Sequence, residues 1–239
     1  MNAPIQEKRI GGLTVVVAVI LTFSAFASIV ESKDLYQPKI NPSNFSGVVN
    51  NPYYPLVPGT IMIFNEKDGD ETRKRTVTVT HDTKTVLGVK CVVVHDVVAA
   101  DGEVEEDTYD WFAQDKQGTV WYFGEATREF KSGGRVSTEG SWEAGVNGQP
   151  GIMMPAHPVP GPPYRQEYSP DIAEDLGQVI ALNETVTVPF GSFMECLRTK
   201  EWSLLESGTD KKWYAKGVGL VRIESTGGEV MTLVTVKRE

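Results

Sequence analysis

The chain has 239 residues, 40% of them hydrophobic, and a formal net charge of −9. That is enough chain to bury one large core or two small ones, and too apolar a composition for wholesale disorder. Its longest basic block, Arg73-Lys74-Arg75, lies beside Asp68, Asp70 and Glu71; it reads as a solvated strand end, and a nucleic-acid partner, which needs basic clusters to meet phosphates, is excluded.

In chain order, Lys8 and Arg9 precede an uncharged, largely apolar run from Gly11 to Val30 that contains Ala25-Phe26-Ala27. A positive region, an apolar region and a small-x-small site predict a signal peptide over residues 1–27, cleaved before Ser28. The alternative is an uncleaved membrane anchor, since the run approaches the ~20 residues of a span. Either reading sends the chain out of the cytoplasm, to the periplasm, the cell envelope or the medium. Membrane association is expected only through that segment if it is retained.

Residues 28–59 carry Pro, Asn and Tyr without helical period and predict an extended lead-in that packs its aromatics on the domain that follows. From 60 to 239 the pattern predicts strands at Ile61–Phe64, Thr76–Val86, Val89–Ala99, Val104–Gln114, Val120–Phe123 and Arg135–Trp142. Turn signals separate them at Asp68-Gly69, Leu87-Gly88, Asp101-Gly102, Asp115–Gly118 and Ser132-Gly133-Gly134. Half of residues 144–163 are Pro or Gly, so this segment is read as a crossing loop or inter-lobe linker with no regular element. Strands resume at Tyr164–Tyr168, Glu184–Val188, Phe193–Leu205, Lys211–Ala215, Gly219–Glu224 and Val230–Lys237, with one helical turn at Asp171–Leu176. The fold class is therefore all-β, an antiparallel meander forming a curved sheet or open half-barrel of one or two lobes.

Asn51-Pro52-Tyr53-Tyr54-Pro55-Leu56-Val57-Pro58-Gly59 resembles the opening motif, N-P-Y-x-P-L-x-P-G, of a group of exported bacterial envelope β proteins of unknown function. Tyr214-Ala215-Lys216-Gly217-Val218-Gly219-Leu220-Val221 is similar to the closing strand pair of that group, and Thr108 to Asp115 to its central strand. The resemblance spans about residues 50–225 and implies a curved antiparallel sheet without assigned chemistry. Ile61-Met62-Ile63-Phe64 departs from it in lacking an aromatic Trp or Tyr in the first strand.

Nucleophile elbow, phosphate loop and zinc-protease motifs are absent. No cofactor is implied. Asp68-Gly69-Asp70-Glu71 lacks the alternating ligands of a calcium loop. With no C-x-x-C and three scattered histidines, no metal site is predicted. Cys91 and Cys196 read either as one disulfide or as two buried thiols. His157, near Met153 and Met154, reads as a plain loop. Glu139 and Glu143, roughly 13 Å apart in an extended strand, are too distant for a glycosidase pair.

Two-residue turns at Leu87-Gly88 and Asp101-Gly102 set a register in which Asp96 faces Asp107 and Val94 faces both His81 and Tyr109. One face then carries Asp96, Asp107 and His81 beside Tyr109, Trp111 and Tyr122. Two readings follow. The aromatics form a concave surface that binds an apolar, amphipathic or lipid-like small molecule, without catalysis; or the paired carboxylates and His81 form the acid/base centre of a hydrolase. A third reading is a structural protein whose acidic surface binds calcium.

Overall fold

The computed structural model describes residues 36–131 and 133–239. The signal-peptide reading of residues 1–27 and Ser132 of the predicted turn lie outside them. A single-turn 3₁₀ helix at Pro42–Asn44 precedes the strands, and every pairing between strands is antiparallel.

The lead-in holds three short strands, β1 (Phe45–Ser46), β2 (Val49–Asn51) and β3 (Tyr54–Leu56). The first meander runs through β4 (Thr60–Asp68), β5 (Glu71–Val86), β6 (Val89–Ala100), β7 (Glu103–Asp115) and β8 (Val120–Lys131). Strands β9 (Arg135–Ser137), β10 (Trp142–Glu143) and β11 (Gly151–Met154) fold back on β8, and β12 (Tyr164–Arg165) pairs with β13 (Asp175–Val188). The second meander continues through β14 (Gly191–Ser203), β15 (Asp210–Ala215), β16 (Gly219–Ser225) and β17 (Val230–Arg238).

The last strand pairs with the first long one, β17 beside β4, so both meanders belong to one open sheet that does not close into a barrel. The sheet curls, because side chains from β4–β8 and from β15–β17 meet around one cavity. Two apolar clusters fill the concavity. One centres on Val79, Val94, Phe112 and Phe123, and the other on Phe64, Val188, Val221 and Leu233.

Both two-residue turns form. Leu87 and Gly88 take φ of 49° and 76°, Asp101 and Gly102 take 50° and 88°, and the flanking pairs are Val86–Val89 and Ala100–Glu103. These are the left-handed values of a hairpin turn whose twist matches its strands.

Two expectations are corrected. The Pro/Gly-rich segment is not without structure: β11 pairs Gly151 with Tyr122 and Ile152 with Trp121. Gly151 makes this possible, since a Cβ there would lie 1.9 Å from the carbonyl oxygen of Gln166. Residues 171–176 form no helical turn. Asp171 takes φ of 62° and the chain reverses through hydrogen bonds from Ile172 and Ala173 to the Ser169 carbonyl.

Of the two readings of the cysteines, the structure shows buried thiols and not a disulfide. Cys91 and Cys196 are both free and buried, on strands that belong to different apolar clusters. Burial pushes the Cys91 thiol up to about 12 and raises that of Cys196, so neither presents the reactive thiolate at neutral pH. We expect a thiol reagent to label neither cysteine in the native protein and both in denaturant; a mass two protons short of the dithiol would contradict this.

Candidate functional site

The lead-in closes one side of the concavity, and the residues of its opening motif hold it there. Asn51 Nδ2 donates to the carbonyls of Gly118 and Pro155, at 2.9 and 3.1 Å, and Asn51 Oδ1 accepts from the Tyr53 amide at 3.0 Å. Gln114 Oε1 accepts the Asn50 and Asn51 amides. These bonds fix the β2–β3 hairpin so that Tyr54 packs edge-on against Phe112, with ring centroids 5.4 Å apart, and lies 6.3 Å from the ring of Tyr214.

Beneath Tyr54 lies a cavity of about 280 Å³. That is near the lower limit of the roughly 300–1,000 Å³ typical of small-molecule sites. Its apolar wall comes from Leu56, Met62, Phe64, Val77, Val94, Leu220, Ile223 and Met231, and its aromatic wall from Tyr54, Phe112, Tyr122 and Tyr214. Asp96, Glu106, Asp110, Glu125 and Glu167 line the same space, with Arg75 and Lys212.

The two cations are already engaged. Arg75 Nη1 lies 2.8 Å from Asp96 Oδ2, and its Nε lies 3.5 Å from Glu66. Lys212 Nζ lies 2.7 Å from Oε2 of buried Glu201, whose Oε1 accepts from Thr199 and from the Tyr214 hydroxyl. Burial alone would raise the Glu201 carboxyl, but the Lys212 ammonium and these hydrogen bonds outweigh it and hold Glu201 below the usual range. Glu106, Asp110, Glu125 and Glu167 make no ion pair with a described residue.

Asp110 and Glu125 meet at one hydroxyl. Tyr122 Oη lies 2.5 Å from Asp110 Oδ1 and 2.9 Å from Glu125 Oε2. A phenol has one hydrogen to donate. One of the two carboxyls must therefore be protonated and donate to the phenol oxygen while the other accepts. Burial, followed by repulsion from neighbouring carboxylates, raises Asp110 well above its ordinary range; burial lifts Glu125 to about 7. Glu167 is likewise pushed well up by burial and then by Glu125 and Asp175. Asp96 is raised by burial, against which Arg75 works only in part, and its Oδ1 is buried without a hydrogen-bond partner among the described residues.

The site predicted from sequence is divided by two bulges. Past the Asp101-Gly102 turn the pairing shifts by one residue, from Ala99–Val104 to Val98–Glu106. Asp96 then faces Thr108, and Asp107 points to the opposite side of the sheet. There Asp107 Oδ1 lies 2.7 Å from His95 Nε2, and the His95 ring stacks on Tyr109 with centroids 4.2 Å apart. Tyr109 is exposed on that outer face, and Trp111 is buried there beneath the Lys84 ammonium, 3.3 Å from its ring centre.

The second bulge lies between the pairs Thr83–Val92 and Val79–Val94. It takes His81 out of the pairing, exposed and beside Gly59. Asp96, Asp107 and His81 thus do not meet, and the hydrolytic centre built on them is not assembled. Of the three predicted ligand-binding aromatics, Tyr122 lines the cavity and Tyr109 and Trp111 do not. Among the described residues, no group of three or more His, Cys, Asp or Glu side chains is placed to hold a metal ion.

The residues that sequence reasoning missed are those the first bulge brings inward: Glu106, Thr108, Asp110 and Phe112 on β7. Glu105-Glu106-Asp107-Thr108-Tyr109-Asp110 carries carboxylates at both parities. Either register therefore delivers an acidic group to the inner face, and only the bulge decides which one.

No protein-family model matches this chain, and no curated protein is significantly similar to it. Among solved structures, it is similar to a candidate exported protein with a YmcC-like fold from Bacteroides fragilis, at 17% identity and a TM-score of 0.47 over 78% of this chain and 99% of that one. It is also similar to a candidate lipoprotein from Parabacteroides distasonis, at 13% identity and a TM-score of 0.45 over the same shares.

Proposed function

We propose that this is an exported protein that binds an apolar or amphipathic small molecule in the concavity of its sheet, without transforming it. Export rests on the N-terminal sequence: Lys8-Arg9, the apolar run and Ala25-Phe26-Ala27. The observation that carries the binding reading is the cavity itself. It joins a largely apolar and aromatic wall to a cluster of polar groups at one region, the composition that holds an amphipathic molecule in one orientation. The β2–β3 hairpin supplies part of the wall, so the segment that opens the domain also completes the site.

Native mass spectrometry of the protein purified from its own host tests this. The expected result is a non-covalent adduct, released by organic solvent and absent from a Leu220→Trp variant, whose larger side chain enters the cavity. An adduct held equally by that variant would place binding elsewhere and overturn the reading.

A further inference from the structure

The cavity is lined by more carboxyl groups than the protein's own cations pair with, and by the side chains of Tyr54, Phe112, Tyr122 and Tyr214. We propose that the ligand carries an organic cation, an alkylated amine or ammonium, seated between the aromatic rings and the unpaired carboxylates. This rests on the binding reading above and names the chemistry of its ligand.

Three independent observations converge on it. Asp110, Glu125 and Glu167 line the cavity without an ion pair to any described residue, while Arg75 and Lys212 are committed to other carboxylates. Asp96 lines the same space, and its Oδ1 is buried with no hydrogen-bond partner among the described residues. The lining rings contact one another in series: Phe112 stacks on Tyr122 with centroids 4.6 Å apart, and Tyr54 contacts both Phe112 and Tyr214. Aromatic faces present negative potential, and a desolvated aromatic wall beside carboxylates is the environment in which an alkylammonium replaces its hydration. The carboxylates do not converge closely enough for a metal ion, whereas an ammonium with its methyl groups fills a wider space and contacts rings and carboxylates together. An anionic headgroup meets Glu106, Asp110, Glu125 and Glu167, which no described cation pairs with, and is repelled by those that are ionised. A neutral sugar head gains hydrogen bonds but no charge.

The test uses three amphiphiles with one tail, octyltrimethylammonium, octyl glucoside and octyl sulfate, titrated calorimetrically into the full chain. The expected result is that the ammonium binds at least about ten-fold more tightly than the glucoside, the gain a desolvated cation–π contact brings, and that the sulfate binds weakest. Glu167→Gln and Glu125→Gln, each checked by circular dichroism for a native fold, are expected to abolish most of the preference for ammonium over glucoside. Equal binding of all three, or tightest binding of the sulfate, would overturn the cationic ligand while leaving the cavity reading in place. If none of the three binds, the cavity reading fails and this inference with it.

Discussion

Replacing Lys212 by methionine is expected to lower stability by about 3–5 kcal/mol at pH 7, the loss typical of a buried charge left without its partner. Lys212 supplies the only described ammonium in contact with Glu201, at 2.7 Å, and Glu201 is buried. Methionine retains much of the aliphatic stem, so packing changes little and the loss is electrostatic. The pH dependence separates the two. In the native protein the Glu201 carboxyl is held below its ordinary range. Its contribution to stability is therefore complete above the unfolded pKa of about 4.3 and is lost as pH falls through the lower folded value. In the variant Glu201 keeps its hydrogen bonds from Thr199 and Tyr214 but is buried without the ammonium, so its penalty is greatest at neutral pH and shrinks as the carboxyl takes up a proton. Urea unfolding at pH 7 and at pH 4.5 is expected to show a larger difference between the proteins at pH 7. An equal difference at both would mean that Lys212 acts through its stem.

Glu167→Gln is expected to do the opposite, raising stability by about 1–3 kcal/mol at pH 8 while weakening the site. Glu167 has no ion pair with a described residue and is pushed well up by burial and by neighbouring Glu125 and Asp175. A carboxyl whose folded pKa is raised destabilises the fold wherever the unfolded chain has ionised it. Its penalty is absent below the unfolded pKa, accrues as pH rises toward the folded value, and is full above it. Glu125 and Glu229, each lifted to about 7, act in the same sense, so the native protein is expected to lose stability between about pH 4.5 and 7. Thermal unfolding of the two proteins should nearly coincide at pH 4 and diverge at pH 8, with the variant melting higher. A variant that melts lower at pH 8 would show that the Glu167 carboxylate is compensated in the fold. A stabilising loss of charge at a cavity wall is what a binding site held against its own stability produces.

Much of the fold was legible in the sequence because β meanders announce themselves by local chemistry. Leu87-Gly88 and Asp101-Gly102 sit where φ must be positive. Apolar alternation gave the long strands, and the Tyr-rich lead-in does pack its aromatics on the sheet. What could not be read is where a strand takes one extra residue. The bulge at Glu105 carries no glycine or proline to mark it; Glu105 lies outside the strand pairing with its carboxylate 3.1 Å from Arg73. Because side chains alternate with a period of two, that one residue moves Asp107, Tyr109 and Trp111 out of the concavity and Glu106, Asp110 and Phe112 into it.

The general character of the site survived the exchange. An inner face with aromatic rings and crowded carboxylates was expected, with Val94, Asp96 and Tyr122 among its members, and it is present with other partners. The short strand at Gly151 was hidden by the prolines around it. It needs a backbone approach to Gln166 that only the three-dimensional arrangement creates.

The measurement that tests the account most directly is calorimetric titration of octyltrimethylammonium into the native chain and into Leu220→Trp. Saturable one-to-one binding that is lost when tryptophan fills the cavity is the predicted result; the absence of saturable binding, or the same isotherm for both proteins, would contradict it.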